Sequence, residues 1–242
     1  IHKTYKLSPS PFSMVIKAIL FDIDNTLVDF WKMKQECCKA AMDAMIKAGL
    51  KANRDEGMKA LFKIYDKYGV EYQPVFIKLL KDINGKADYK IIASGIIAYR
   101  AMKENYLVPY TNVISTLTAL KKDHGYKLAV VSDAPVLQAW MRLVGMKLDP
   151  FFDVVITKAD ARKQKTHAAP FKAALRALNI SPEEAVMIGD RIPRDINTAK
   201  SLGIKTIYAR YGDESPPAPG KSGADAELED ISEVLDVLKG WR

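Results

Sequence analysis

Two aspartates stand at the end of an apolar run near the start of the chain. Asp22 and Asp24 follow the run from Val15 to Phe21 and are separated by a single residue. Carboxylates this close repel each other, so a cation or a polar ligand is needed to offset their charge. Magnesium, a hard cation that takes oxygen ligands, would supply that charge. The alternative is an ordinary turn or helix cap, because Asp and Asn are common in both.

A second pair of acids, Asp190 and Asp195, follows another apolar run that ends at Gly189. The glycine permits a tight exit from the run, and two acids separated by a short loop can converge on one cation. A Gly-Asp pair alone carries little information. Combined with the first pair of acids, it predicts an oxygen-lined metal site.

Ser132 and Lys165 are the candidates for holding a phosphate. Ser132 ends an apolar run, where its hydroxyl could donate to a phosphate oxygen, although Ser-Asp is also an ordinary helix N-cap pair. Lys165 precedes a helical pattern, and an ammonium there could neutralise a phosphoryl group. Arg162 and Lys163 compete for this role, and a solvated basic loop is the alternative.

Short runs rich in Val and Ile predict the strands that must position these residues. The predicted strands are Val15–Phe21, Leu128–Ser132, Val154–Thr157, Ala185–Gly189 and Thr206–Ala209. Helical patterns lie between the later ones, at Val136–Val144, Pro170–Leu178 and Asp195–Leu202. Such alternation predicts an α/β fold with a doubly wound parallel sheet, whose sites lie at the carboxyl ends of the strands.

The interval from about Phe30 to Asn105 breaks this alternation and predicts an all-helical insert. Its helical stretches are Trp31–Ala48, Asp55–Tyr68, Pro74–Lys81 and Tyr89–Glu104. We therefore expect a core formed by residues 14–29 and 106–242, an inserted domain over 30–105, and a tail or tag over 1–13. A loop over Gly212–Gly223 and a last helix from about Leu228 to Lys239 complete the prediction.

No motif in the insert names a ligand. Its aromatic and basic side chains could line a pocket, but at helical spacing they also suit the core of the insert. They are Trp31, Lys34, Tyr65, Tyr68, Tyr72, Phe76 and Tyr99.

The composition excludes several classes of protein. With 242 residues, 48% hydrophobic and 27% charged, the chain matches a globular protein, and its net charge of +8 comes from scattered basic residues. The only cysteines, Cys37 and Cys38, are neighbours that cannot easily form a disulfide, which fits a reducing compartment. No apolar run reaches the roughly 18 residues that span a bilayer. We therefore expect a cytoplasmic protein, a monomer or homodimer, without a nucleic-acid or membrane partner.

Four motifs follow one another along the chain, each at a predicted strand end: Asp22 with Asp24, then Ser132, then Lys165, then Asp190 with Asp195. In this order they resemble the haloacid dehalogenase-like hydrolase superfamily over about residues 14–239. The resemblance implies a Rossmann-like parallel sheet core with helices on both faces and an inserted all-helical cap domain. It implies that Asp22 attacks as the nucleophile while Asp24 acts as general acid and base. It also implies that Asp190 holds Mg²⁺ beside Asp22 and the main-chain carbonyl of Asp24, with support from Asp195.

The resemblance further implies that Ser132 and Lys165 bind the transferring phosphoryl group. In the family, the functional lysine usually precedes a phenylalanine by six positions, as Lys165 precedes Phe171. Thr166 departs from the family, which often has proline after that lysine.

The function implied is a magnesium-dependent phosphatase that forms an aspartyl-phosphate on Asp22. Asp24 favours a phosphatase over a dehalogenase of the same superfamily, because a halide leaves without a proton. A phosphomutase would use the same residues, and a module that holds a phospho-aspartate without hydrolysing it is the remaining alternative. The expected substrate is a small phosphorylated metabolite, with Asn25 and Asp133 as further candidate substrate-binding residues.

Overall fold

A parallel sheet forms the centre of the molecule. Within residues 15–241, the part of the chain that this computed structural model describes, six parallel strands form one sheet. The strands are β1 (Ala18–Phe21), β2 (Lys127–Ser132), β3 (Val154–Thr157), β4 (Ala185–Gly189), β5 (Lys205–Ala209) and β6 (Ala226–Leu228). Their order across the sheet is β3-β2-β1-β4-β5-β6, which confirms the predicted doubly wound sheet. The tail or tag expected over residues 1–13 lies outside the described residues.

Helices cover the sheet and form the insert. They are α1 (Phe30–Ala48), α2 (Arg54–Tyr68), α3 (Val75–Asn84), α4 (Tyr89–Tyr106), α5 (Val113–Thr118), α6 (Val136–Gly145), α7 (Lys158–Ala161), α8 (Ala169–Leu178), α9 (Asn197–Ser201) and α10 (Val234–Gly240). Within residues 15–241, none of these helices is long and apolar enough to cross a membrane.

Alternation along the strands separates two apolar layers. In β1, Ile19 and Phe21 face the layer that contains α5, α6 and α10, while Ala18 and Leu20 face the layer of α8 and α9. This period of two is the pattern of a strand buried on both faces. Because all strands are parallel, their carboxyl ends meet at one edge of the sheet and bring distant segments together there.

The carboxyl-terminal part of the chain differs from the prediction. Ala226–Leu228 forms the sixth strand, β6, which the sequence pattern did not reveal, and Leu228 pairs with Ala209 of β5. The predicted helix from Leu228 was therefore wrong over its first residues. The helix begins only at Val234, after Asp230 caps a short turn by accepting a hydrogen bond from the main-chain N–H of Ser232 at 2.8 Å. A three-residue strand has too little periodicity to be found without its pairing partner.

The insert between β1 and β2 is helical, as predicted. Asp29, Asn53 and Asp88 cap α1, α2 and α4 by accepting hydrogen bonds from main-chain N–H groups in the first turn of each helix. The four helices enclose a separate apolar cluster. Helix α1 also contributes Phe30 and Met33 to the sheet-side layer, so it packs on both units. The division at residues 29/30 and 105/106 stays a prediction.

Candidate active site

Three carboxylates converge at the carboxyl ends of β1 and β4. Asp22, Asp190 and Asp195 are buried and offer oxygen atoms that all lie within 4.8 Å of one another. Asp195 lies in a π-helical turn and accepts a hydrogen bond from the main-chain N–H of Arg191 at 3.0 Å. A Cβ at Gly189 would clash with the carboxylate of Asp195, so only glycine leaves room for this side chain. Gly189, which the sequence pattern assigns to a tight exit from the strand, therefore also leaves space for the carboxylate of Asp195.

The electrostatics of this cluster suit a divalent cation. Burial and the neighbouring carboxylates raise the pKa of both Asp190 and Asp195 above the ordinary range for aspartate. Oδ1 of Asp190 is buried without a hydrogen-bond partner among the described residues. A buried orphan oxygen among carboxylates is the arrangement that Mg²⁺ satisfies, since it takes oxygen ligands. The cluster thus fits the predicted magnesium ion.

Lys165 supplies the positive charge that the protein itself brings to this cluster. Its Nζ lies 2.7 Å from Oδ1 of Asp22 and 2.6 Å from Oδ1 of Asp195, and the side chain is 2% exposed. Burial opposes the charge, but the two carboxylates outweigh it and raise the pKa of Lys165. Lys163 and Arg162 are exposed. The structure therefore brings Lys165, and neither competitor, to the carboxylates.

The loop that carries Lys165 does not follow a strand directly. Helix α7 intervenes between the end of β3 and the loop, which is a difference from the expectation that each motif follows a strand. Asp133 holds the loop in place, because its Oδ1 accepts a hydrogen bond from the main-chain N–H of Lys165 at 2.8 Å. Its Oδ2 accepts one from Nη1 of Arg194 at 3.3 Å. Asp133 therefore positions the loop that carries Lys165.

Asp24 lies outside the carboxylate triad and pairs with an arginine. Its Oδ1 lies 2.9 Å from Nε of Arg142 in α6, and the guanidinium also pairs with Glu71 in the loop between α2 and α3. Burial raises the pKa of Asp24 to about 7; Arg142 acts against this rise, and the Asp22 carboxylate adds to it. A carboxyl with a pKa near 7 is suited to both giving and taking a proton. The buried arginine beside it was not foreseen from the sequence.

Ser132 and Asn25 complete the rim of the site. Ser132 lies at the end of β2, and its Oγ accepts a hydrogen bond from the main-chain N–H of Ala134 at 3.2 Å. Asn25 has a positive φ of 58° and donates from Nδ2 to Oδ2 of Asp190 over 3.5 Å. Both side chains line a cavity of about 130 Å³ together with Asp22, Asp24 and Lys165. The structure thus brings all the predicted site residues to one place, and the roles of the individual residues stay predictions.

A comparison with known protein families shows to which family this chain belongs. The family described as haloacid dehalogenase-like hydrolase matches residues 19–209, a range that contains the carboxylate cluster, Ser132 and Lys165. This chain belongs to that family. The suggested resemblance is therefore confirmed, together with the helical insert after β1.

Individual members of the haloacid dehalogenase-like hydrolases resemble the chain over almost its full length. The glyceraldehyde 3-phosphate phosphatase of Pyrococcus furiosus is 34% identical, over 93% of this chain and 93% of the relative. The enzyme of the same name from Methanocaldococcus jannaschii is 36% identical, over 94% and 99%. The structure of YfnB from Bacillus subtilis bound to magnesium has the same fold, with a TM-score of 0.67 at 19% identity over 93% of this chain and 99% of that one.

Two residues of this haloacid dehalogenase-like hydrolase site escaped the sequence analysis. Arg142 is 3% exposed although it is charged, and its guanidinium lies 4.6 Å from the centroid of the Phe30 ring. The available signal was a single charge within the apolar helical pattern from Val136 to Val144. Glu71 had no such signal, because it lies in a polar loop whose approach to α6 depends on how the insert packs.

Proposed function

We propose that this hydrolase is a magnesium-dependent phosphatase acting on a small phosphorylated metabolite, with glyceraldehyde 3-phosphate as the first candidate substrate. The observation that carries the proposal is the contact of Lys165 with both Asp22 and Asp195, beside the partnerless oxygen of Asp190. This arrangement provides the Asp22 carboxylate as a nucleophile, the Lys165 ammonium as a fixed positive charge, and a metal site, all within one small cavity. The names of the two relatives that are 34% and 36% identical support the substrate.

In the first step, a carboxylate oxygen of Asp22 attacks the phosphorus atom and the bond to the leaving oxygen breaks. Asp24 is placed to give its proton to that oxygen, so the leaving group departs as an alcohol. The product on the protein is an aspartyl-phosphate. Lys165, which contacts Asp22 at 2.7 Å, holds the nucleophile in position and neutralises charge on the transferring oxygens.

In the second step, Asp24, now ionised, takes a proton from water, and the water oxygen attacks the phosphorus of the aspartyl-phosphate. The bond to Asp22 breaks, phosphate is released and both carboxyl groups return to their starting states. Asp24 thus serves as acid and then as base.

The remaining residues hold the phosphate and the cation. Ser132 donates its hydroxyl proton to a phosphoryl oxygen, and Asn25 and Asp133 shape the rim around it. Asp22, Asp190, Asp195 and the main-chain carbonyl of Asp24 would hold Mg²⁺. When bound there, the ion supplies charge neutralisation to the transferring phosphoryl group. Each of these roles is part of the proposal.

The proposal extends to the organisation of the chain. Residues 30–105 act as a cap over a site built by residues 14–29 and 106–242, and closure of the cap excludes water. We place the enzyme in a reducing cytoplasm, because Cys37 and Cys38 are both free thiols. A monomer or homodimer remains the expected assembly.

The test is phosphate release by the purified protein with magnesium and a panel of phosphoesters that includes glyceraldehyde 3-phosphate, sugar phosphates and nucleotides. We expect steady turnover of a small phosphoester that disappears on addition of chelator. Absence of turnover with every phosphoester would contradict the proposal. A single phosphorylation of Asp22 without phosphate release would instead favour the non-hydrolytic module.

A further inference from the structure

A second cavity, of about 320 Å³, lies between the helical insert and α6. It is larger than the space around Asp22 and shares the side chain of Phe30 with it, while Arg142 lines the larger cavity from the core side. Lys34, Tyr65 and Tyr99 line it from the insert. No role in the two chemical steps requires this space.

Lys34 is the unusual residue in this cavity. Its side chain comes from α1 and is 6% exposed, and its Nζ lies 4.3 Å from the ring centroid of Tyr65 and 5.3 Å from that of Tyr99. No carboxylate of the described residues lies within ion-pair distance of this ammonium. Aromatic faces attract a cation but offer it no oxygen acceptor, and no hydrogen bond from Nζ of Lys34 to a described residue accompanies these two ring contacts.

Three groups around Lys34 carry no negative charge. Burial raises the pKa of the Cys38 thiol to about 11, and burial also raises the pKa values of both tyrosines, so all three groups are neutral near pH 7. Glu71 is the one carboxylate among the cavity-lining residues, and it is paired with Arg142. Burial lowers the pKa of Lys34 itself, although the Glu71 carboxylate acts against this shift. An oxygen from a bound molecule would relieve this imbalance.

The position of Arg142 connects this cavity to the reaction. The leaving oxygen must lie beside Asp24 to receive its proton, and Asp24 contacts Arg142 at 2.9 Å. The carbon chain attached to that oxygen therefore begins next to Arg142, which also lines the cavity. A leaving group of a few carbons can extend past this side chain toward Lys34.

We infer that this cavity binds the leaving-group portion of the substrate, and that Lys34 determines specificity by donating hydrogen bonds to a carbonyl, hydrated carbonyl or carboxylate oxygen at its far end. The inference rests on the proposed phosphatase activity and narrows its substrate class. Preferred substrates are short phosphoesters with an oxygen-bearing group remote from the phosphate. Alkyl phosphates of the same length fill the space without satisfying Lys34.

The experiment compares glyceraldehyde 3-phosphate and 3-phosphoglycerate with propyl phosphate, which has the same number of carbons and no remote oxygen. The variant is Lys34→Met, which keeps the length of the side chain and removes its donors. In the wild-type enzyme we expect kcat/KM for the better oxygenated substrate to exceed that for propyl phosphate by about thirtyfold or more. In Lys34→Met this ratio should fall to about threefold or less through a higher KM, with kcat changed by less than about threefold.

Lys39→Met is the matched control. Lys39 lies on the same helix, but it is half-exposed and pairs with Glu36 at 2.7 Å, outside the cavity. This variant should retain the wild-type substrate ratio. A loss of the ratio in both variants would overturn the inference, because the effect would then belong to the helix rather than to Lys34.

Thermal unfolding separates recognition from a structural role. Removing a buried ammonium that lacks a counter-ion should leave the melting temperature of Lys34→Met at or above that of the wild type. A fall of more than about 5 °C would assign Lys34 to packing against the tyrosines and overturn the inference. An equal loss of kcat with all three substrates would also overturn it.

Two results distinguish this inference from the proposed function. If the wild-type enzyme hydrolyses propyl phosphate as well as the oxygenated substrates, the specificity role of Lys34 is wrong and the phosphatase assignment stands. If it hydrolyses neither these three compounds nor any other phosphoester in the presence of magnesium, the proposed function fails and the inference fails with it.

Discussion

Nε of Arg142 lies 2.9 Å from Oδ1 of Asp24, and the same guanidinium pairs with Glu71 of the insert. The proposed acid and base is therefore connected through one buried cation to a loop that belongs to a different unit. The arginine is held further by the face of the Phe30 ring. Any displacement of the insert that moves Glu71 changes the support of Arg142, and through it the orientation of Asp24.

Replacing Arg142 by Gln tests this connection. Without the guanidinium, Asp24 loses its orientation, so proton delivery to a poor leaving group should suffer while a leaving group that needs no proton should not. We expect kcat to fall by about tenfold to a hundredfold with an alkyl phosphate and by less than about threefold with p-nitrophenyl phosphate. Arg176→Gln, at an exposed position of α8, is the control. Equal losses with both substrates would show that Arg142 does not act through Asp24.

Replacing Asp22 by Asn tests the nucleophile. The amide keeps the shape of the side chain but cannot attack phosphorus, so turnover should fall by several orders of magnitude. The fold should remain intact, as judged by circular dichroism and a cooperative thermal transition. Asp43→Asn, at an exposed position in the insert, should keep full activity. More than about a tenth of the wild-type rate in Asp22→Asn would refute the assignment.

Replacing Asp190 by Asn tests the metal site. Its Oδ1 has no partner among the described residues, and burial together with the neighbouring carboxylates raises the pKa of this group, so its charge costs stability when no metal is bound. We expect magnesium binding, measured by calorimetry, to weaken by at least about tenfold while the melting temperature without metal stays the same or rises. Asp236→Asn, at an exposed position in α10, should bind magnesium normally. Unchanged magnesium binding in Asp190→Asn would place the ion elsewhere.

Comparing Lys165→Ala with Lys163→Ala tests which lysine serves the site. Lys165 contacts two carboxylates, whereas Lys163 is exposed. Loss of one electrostatic stabiliser in a site shielded from water costs about 3 to 4 kcal/mol, so Lys165→Ala should slow turnover by about a hundredfold or more. Lys163→Ala should change turnover by less than about threefold. Steady-state kinetics with saturating magnesium measures both, and an exchange of these outcomes would transfer the role to Lys163.

Acid stability tests a carboxylate outside the site. Burial opposes ionisation of Asp153, but hydrogen bonds from the main-chain N–H of Leu128 and the ammonium of Lys121 outweigh it and lower its pKa. A lowered folded-state pKa gives stability that is present above the unfolded value of about 4 and is lost as the pH falls through the folded value. Urea midpoints of Asp153→Asn should therefore lie below those of the wild type at about pH 7 and approach them at about pH 3. A difference that does not shrink on acidification would contradict this linkage.

The strands and the acids at their ends were accessible from the sequence because both depend on local pattern. Runs of Val and Ile bounded by polar residues predicted β1 to β5. In a parallel sheet the carboxyl ends lie at one edge, so the sequence alone leads us to expect that Asp22 and Asp190 meet there, as they do. The short strand β6 could not be predicted, because three residues carry no period and only pairing with β5 defines them.

Lys165 could be predicted only in part from the sequence. Spacing to Phe171 favoured it, but three basic residues within four positions left the burial of each undetermined. The structure separates them because the loop is anchored by Asp133, which binds the main-chain N–H of Lys165 and so directs that residue into the site. The anchoring contact joins positions 32 residues apart, beyond the reach of local pattern.

By itself, the sequence determined five of the six strands, the helical insert and the order of the acidic motifs, since each follows from residue type and spacing along the chain. Only the tertiary structure decided that Arg142 reaches Asp24 and Glu71, and that Lys34 is enclosed by Tyr65 and Tyr99. The physical reason is that burial and ion pairing arise between segments that fold against each other. A charged residue therefore looks the same in the sequence whether it ends in solvent or in a closed site.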